Sequence, residues 1–360
     1  MIDGRFAGQT ITGVQRYATE VVRGFDRLLA EDSASRRRYD LVLAVPPGTS
    51  VSFNLDHVQV QPVGHLTGHL WQQLELDRFS GRDLLLCLCN VGPLRRRNQI
   101  VTLHDASVFA HPAAYSRMFR TWYGMVQQQI GARALMVLTD SEFSRNELHR
   151  YLDIPLGRIR VVPLGGNHLE SVVADRSILV RHGLGRRRFV LAVSSLAPHK
   201  NFGVFLDAIA QIHEDQPDLD IVVAGGRFER VFNSGRIPIP DAIQVGYVTD
   251  AELKALYQSA ACFVYPSLYE GFGLPPLEAM ACGCPVVLSS AASLPEVGKG
   301  AVLYFEPTNP ASLAHAVSRV LNEPALAGLL QEQGRLRAAE LTWDRCARQT
   351  FALVEQSLAS

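Results

Sequence analysis

The residues best suited to do chemistry sit close together between Pro266 and Ala281. Glu270 and Glu278 are separated there by seven residues, with Gly271, Phe272, Gly273 and Leu274 between them and Pro275-Pro276 following. Paired glycines let a backbone approach a ligand closely, and prolines mark the first turn of a helix. Amides around Gly273 and Leu274 would then face an anion at a helix N-terminus, where the dipole favours negative charge. A carboxylate accepts two hydroxyl hydrogen bonds, so Glu270 and Glu278 suit a sugar or a ribose diol. A plain capped helix, with Glu278 favouring the dipole, accounts for the same spacing.

Other candidates also fall where a strand should end. His104-Asp105 closes an apolar run at 100–103, and Lys200 follows the run at 189–193. Gly13 opens a helical stripe of Val14, Tyr17, Ala18, Val21, Val22, Phe25, Leu28 and Leu29, and Arg16 stands one turn into it. A lone histidine is usually structural, and a helix arginine usually solvated. The stripe predicts the first helix. Further apolar runs at 41–45, 84–89, 134–138 and 159–162 predict strands, as do those at 221–224, 262–265 and 285–288. Helices are expected at 202–213, 251–259 and 313–321. Continuous β-branched and leucine runs alternating with helices indicate parallel sheets covered on both faces. Two such series predict two doubly wound domains, 1–170 and 171–342, with a seam at 165–188 and 343–360 crossing back as a helix onto the first. A very short first strand is expected, because Asp3 already begins a loop.

Composition narrows the classes. Lys plus Arg is 35 and Asp plus Glu is 35, a formal net charge of zero. A general nucleic-acid binder would need a basic excess, so no nucleic-acid partner is expected. A hydrophobic content of 47% is too apolar for disorder. No apolar run approaches the roughly 18 residues that span a bilayer. The start Met1-Ile2-Asp3-Gly4-Arg5 lacks a signal pattern, so a cytoplasmic protein is expected. Six cysteines without zinc spacing read as free thiols.

Taken together, the motifs resemble the family-4 retaining glycosyltransferases. The resemblance rests on Glu270-x7-Glu278, on Ala281 to Val287, and on Pro295-Glu296-Val297. It extends to Gly13-Val14-Gln15-Arg16-Tyr17, His104-Asp105, Ser141-Glu142-Phe143-Ser144 and Pro198-His199-Lys200-Asn201, in the family's order across essentially the whole chain. It implies an α/β GT-B fold, two Rossmann-like doubly wound domains facing a central cleft. It further implies that Glu270 binds the donor sugar's hydroxyls and Glu278 the ribose hydroxyls. Amides of Gly271 to Leu274 would hold the diphosphate, and Lys200, helped by His199, would neutralise it. The family's arginine before that lysine is replaced here by Ser194 or Ser195. His104 would lie near the donor sugar and the reacting centre, Gly13 would allow close approach of the diphosphate or acceptor, and Val248 would line the base pocket. The first domain would bind the acceptor, with Arg16 and Asp105 as the candidate residues, and the second the nucleotide sugar. The subgroup most resembled includes mannosyl- and rhamnosyltransferases of bacterial surface polysaccharides. That points to GDP-mannose as donor and a glycan or lipid-linked glycan as acceptor.

Rival readings meet specific objections. Asp218-Leu219-Asp220 has the spacing of a metal-holding motif but precedes a strand, so it reads as solvated turn residues and no metal or other cofactor is expected. No G-x-G-x-x-G follows a strand, which argues against a nicotinamide enzyme. A nucleotide-sugar epimerase can share the architecture, but its motifs would match less well. The alternative is a non-catalytic nucleotide-sugar-binding or scaffold protein of the same fold, against which the intact Glu270, Glu278, Lys200 and His104 weigh. Arginine triplets at 36–38, 95–97 and 186–188 are solvated loop ends on the simplest reading. The first two also suit peripheral contact with anionic lipid on the inner face of the cytoplasmic membrane.

Overall fold

The computed structural model describes residues 1–185, 187–193, 197–225 and 242–359, in two compact units. Unit 1 comprises Met1–Ala110, Thr121–Leu164 and Trp343–Ser360; unit 2 comprises His111–Arg120 and Gly165–Thr342. Its boundaries differ from the expected 1–170 and 171–342 in two places. The 111–120 segment belongs to unit 2 because its aromatic rings pack there, His111 on Tyr269 at 4.9 Å and Tyr115 stacked on His199 at 6.3 Å. Residues 165–170 join unit 2 as well, Gly166 having room for no Cβ beside Leu277, whose Cγ would lie 2.4 Å away.

Seven parallel strands form the sheet of unit 1: β1 (Ile2–Asp3), β2 (Val42–Val45), β3 (Gln59–Pro62), β4 (Leu85–Cys87), β5 (Gln99–Thr102), β6 (Met136–Thr139) and β7 (Ile159–Val161). Their order is β3-β2-β1-β4-β5-β6-β7. The central strands are buried along their length, as continuous apolar runs require. Asp3 is part of β1, paired with Ala44, and does not begin the loop as expected. β3 escaped the sequence reading because it is an edge strand exposed at all four residues, with no apolar run to signal it.

The first helix, Gly13–Glu31, buries Tyr17, Val21, Val22, Phe25, Leu28 and Leu29. The final helix, Trp343–Ala359, lies against it. A Cβ on Gly24 would come within 2.2 Å of Ala347 Cβ, so glycine is what lets the two helices touch. Phe351 meets Phe25 at 5.3 Å and Tyr39 at 5.9 Å, and Arg348 pairs with Glu31 at 2.6 Å.

Unit 2 repeats the plan with six parallel strands: β8 (Phe189–Val193), β9 (Asp220–Ala224), β10 (Ala242–Gly246), β11 (Cys262–Tyr265), β12 (Val286–Ser289) and β13 (Leu303–Phe305). Their order is β10-β9-β8-β11-β12-β13. Phe205, Ile209 and Ile212 of the Phe202–Asp215 helix share one core with Leu313, Val317 and Val320 of the Pro310–Asn322 helix. β13, a three-residue strand, was not expected, and β10, a half-exposed edge strand, carries no apolar run.

Several side readings change. Arg96, in the second arginine triplet, is buried: its guanidinium holds Asp77 Oδ1 at 3.2 Å and the carbonyls of Gly81 and Asp83, clamping the 77–83 turn. Only Arg95 and Arg97 of that triplet are exposed. In the third, Arg187 pairs with Asp220 at 3.1 Å and Arg188 donates to Leu321 O at 2.7 Å. Asp220 is therefore not a solvated turn residue but an ion-paired start of β9; Asp218 is solvated. All six cysteines are free. Among the described residues, no group of three or more His, Cys, Asp or Glu could hold a metal, and no helix is long and apolar enough to cross a membrane. Arg186, Ser194, Ser195 and Gly226 lie outside the described residues.

Candidate active site

In a doubly wound sheet, a crevice opens where the strand order reverses, outside the carboxyl ends of the strands. Unit 2 reverses between β8 and β11. The chain leaving β8 reaches a short turn, Pro198–Lys200, and the chain leaving β11 runs through Glu270 into the Leu274–Ala281 helix. These exits are stapled together. Asn201 adopts φ 58° and its Nδ2 donates to Pro266 O at 3.1 Å and Pro307 O at 2.7 Å, while Leu268 N donates to His199 O at 2.8 Å. Buried Ser293 donates to Glu270 O and Phe272 O, fixing the loop from below.

Lys200 Nζ and Glu270 Oε1 consequently meet at 2.6 Å, with 16% and 12% of their side chains exposed. Burial works against the charged form of Glu270. The Lys200 ammonium, by charge and hydrogen bond, and the Ser267 hydroxyl together hold the carboxyl below its usual range. The two residues expected to act separately are thus one ion pair. Burial, and then Lys200 beside it, push the His199 pKa down to about 3, so the ring is neutral in this structure.

The helix start is built as the glycines and prolines suggested. Gly273 has φ 106°, and a Cβ there would lie 2.7 Å from Leu294 Cδ2. Pro275 and Pro276 carry no N–H, so the unpaired donors of the first turn are concentrated at Gly273 and Leu274. Phe272 and Leu274 bury their side chains, leaving only backbone for a ligand. Four residues on, Glu278 is held at both oxygens: Tyr257 O–H donates to Oε2 at 3.0 Å, and His168 Nε2 lies 3.3 Å from Oε1. Neither partner carried a sequence signal; Tyr257 lies on the Asp250–Ser259 helix, expected at 251–259. Val248 stands between β10 and that helix, two residues after Gly246 with φ 73°.

Unit 1 places His104 just beyond β5 and Asp140 just beyond β6. His104 Nδ1 is 2.7 Å from Asp140 Oδ2 and its Nε2 is 3.1 Å from Leu88 O. An acceptor at each nitrogen suits the doubly protonated ring. Burial opposes that charge, but Asp140, by charge and hydrogen bond, and then Asp105 raise the His104 pKa above its ordinary value. Tyr17 packs edge-on at 4.8 Å, and Asn90 Oδ1 accepts from His104 N at 2.8 Å. Asp140 was missed, although a polar residue directly after an apolar strand is the signal that picked out His104. Asp105 Oδ1 accepts from Ser107 N at 2.8 Å. Ser141 of the Ser141-Glu142-Phe143-Ser144 motif caps the Glu142–Leu152 helix, accepting from Ser144 N at 3.0 Å. Gly13 begins its helix with open space where a Cβ would stand. Arg16 pairs with Glu20 at 3.7 Å.

Comparisons with known proteins agree with this layout. The profile of the family described as "Glycosyl transferases group 1" matches residues 178–337. The O-antigen chain mannosyltransferase B of Escherichia coli is 30% identical over 273 residues, which cover 72% of this chain and 70% of that protein. The MMP alpha-(1->4)-mannosyltransferase of Mycolicibacterium hassiacum is 33% identical over 254 residues, 67% of this chain; the match spans only 59% of that relative. Sucrose-phosphate synthase of Thermosynechococcus elongatus superposes with a TM-score of 0.74 at 19% identity, covering 99% of this chain and 98% of that one, a likeness of fold. Two parallel sheets with these neighbours are the GT-B architecture, and the chain belongs to the group 1 glycosyl transferases.

Proposed function

We propose that the protein is a metal-independent, retaining hexosyltransferase that uses a nucleotide diphosphate sugar, GDP-mannose in the favoured reading, and a glycan or lipid-linked glycan acceptor in cell-surface polysaccharide synthesis. One observation carries it: at the strand-order reversal of unit 2, the Lys200–Glu270 pair stands beside the donor amides of Gly273 and Leu274, with Glu278 held by Tyr257. In this reading Glu278 accepts hydrogen bonds from the ribose hydroxyls and Glu270 from the sugar. The Gly273 and Leu274 amides and Lys200 take the diphosphate, without charge from His199. The names of the two mannosyltransferase relatives support mannose.

In the transfer, the acceptor oxygen forms the new bond to the anomeric carbon while the bond to the diphosphate breaks. The nucleoside diphosphate leaves on the same side and takes the acceptor's proton. No second carboxylate acts as a nucleophile, so the protein contributes orientation and a fixed cation where charge develops. His104, with both ring nitrogens engaged inside unit 1, acts by positioning its strand end. A cytoplasmic enzyme touching anionic membrane through Arg36, Arg37 and Arg38 fits a lipid-linked acceptor; these three are exposed on one short helix.

The deciding experiment is calorimetry of a nucleotide-sugar panel, with EDTA present, on wild type and Glu278→Ala. Tight binding of one donor, lost in the variant, is the expected result and identifies base and sugar together. Absence of binding by every donor favours a scaffold protein instead.

A further inference from the structure

Unit 1 has its own reversal point, between β1 and β4. The chain leaves β1 at Gly4-Arg5. It has to be glycine at position 4, because a Cβ there would lie 2.5 Å from Ala44 O. Arg5 follows with its backbone N–H on Asp3 Oδ1 at 3.0 Å. Its half-buried guanidinium forms no ion pair among the described residues; Nη1 stands 3.5 Å from His69 Nε2. Asp3 does not dock on it, being buried with its other oxygen accepting from the Gln72 amide.

His69 is positioned by an unusual element. Residues Trp71–Leu76, beginning two residues after it, form a π-helical turn, a rare conformation that recurs at functional sites. The turn is pinned on three sides: Trp71 Nε1 donates to Val63 O at 2.8 Å, Gln72 donates to Asp3, and Gln73 bridges Gly92 O at 2.9 Å and Leu94 N at 2.8 Å. Burial, and then Arg5, push the His69 pKa down to about 4, so a neutral ring faces the cation. The same ring lies 4.1 Å, centroid to centroid, from the tilted ring of Trp122, which is half-buried.

We infer that Arg5, His69 and Trp122 form a subsite for an oxyanion-bearing sugar, a hexose carrying a carboxylate or a phosphate. The assignment rests on the reading that unit 1 serves the acceptor, and deepens it. A guanidinium without a carboxylate partner matches an oxyanion in two-pronged geometry, the neutral imidazole adds one polar contact, and an aromatic face packs a sugar ring.

The chain carries three tryptophans, and Trp71 and Trp343 are fully buried, so ligand-induced changes in tryptophan fluorescence report on Trp122. The probes are mannose 1-phosphate, glucuronate, methyl α-mannoside and inorganic phosphate. One or both anionic sugars should change the fluorescence saturably, with a Kd about tenfold or more below that of the neutral glycoside. Arg5→Gln should abolish that preference, Arg5→Lys should keep part of it, and Trp122→Phe should remove the signal. Which anionic sugar binds tells a phosphate source from a carboxylate source. Equal binding of anionic and neutral sugars, or a preference that survives Arg5→Gln, overturns the inference. So does inorganic phosphate binding as tightly as the sugar phosphate. A lower melting temperature in Arg5→Gln with the preference intact would reduce Arg5 to a counter-charge for Asp3. Donor calorimetry on the same samples separates the two claims: loss of donor binding sinks the transferase reading, not the subsite.

Discussion

Lys200 meets Glu270 at 2.6 Å where β8 and β11 end, and His104 meets Asp140 at 2.7 Å where β5 and β6 end. The lysine pair retains 16% and 12% side-chain exposure, against 8% and 4% for the histidine pair. Lysine has three donors on a flexible stem, so one contact with Glu270 leaves it able to turn to an arriving phosphate. The imidazole has two nitrogens, and both already face acceptors inside unit 1. One fold therefore places opposite charges at the ends of neighbouring strands in each sheet, at the reversal point in unit 2 and away from it in unit 1, for different work. The first pair can be opened by a ligand, while the second holds loops in place. A buried pair costs most when one partner is removed, because the other is left charged and unsolvated.

The largest effect expected from this contrast is on stability. Asp140→Asn should destabilise unit 1 by about 3–5 kcal/mol, read as a fall in chemical-denaturation midpoint. A loss under about 1 kcal/mol would mean that the pair is no more structural than a surface bridge. Next comes Lys200→Ala. It should lower kcat about 10²–10³-fold, as removal of a fixed charge stabiliser does, with a smaller change in donor affinity. An unchanged kcat would make Lys200–Glu270 another structural pair and erase the contrast.

A pH series sharpens the comparison further. The folded pKa of His104 is raised, so its stabilising contribution is complete below the unfolded value of about 6.5 and is lost as pH climbs through the folded value. The stability gap between wild type and Asp140→Asn should thus be widest near pH 6 and narrow toward alkaline pH. A gap that widens instead would show that His104 is not the charged partner. The smallest effect belongs to Tyr257→Phe, which removes one hydrogen bond to Glu278 without changing shape. Donor Kd should rise about two- to tenfold, with kcat little altered. No change in Kd would mean that Glu278 does not depend on Tyr257 for its orientation.

Much of this arrangement was legible beforehand, and what was missed has a common cause. Apolar runs announced the central strands because a parallel sheet covered on both faces needs them. β3 and β10 lie at sheet edges where no such run is required, so periodicity was silent. Glu270, Glu278 and Lys200 stood out because glycines, prolines and strand ends bracket them locally. Their partners did not, since Tyr257 and His168 reach Glu278 from 21 and 110 residues away in sequence. Arg96 misled for the same reason: in sequence it is one of three adjacent arginines, whereas in the fold it is buried on five backbone carbonyls and the Asp77 carboxylate.

By itself the sequence determined the alternation of strands and helices and the concentration of amide donors at Gly273 and Leu274. These follow from local properties: hydrophobic period, the missing Cβ of glycine and the missing N–H of proline. Only the tertiary structure decided who pairs with whom. Whether Lys200 neutralises Glu270, whether His199 is charged, and whether His104 has a free nitrogen all depend on burial and on charges from distant strands. Those energies do not exist until the chain closes around them.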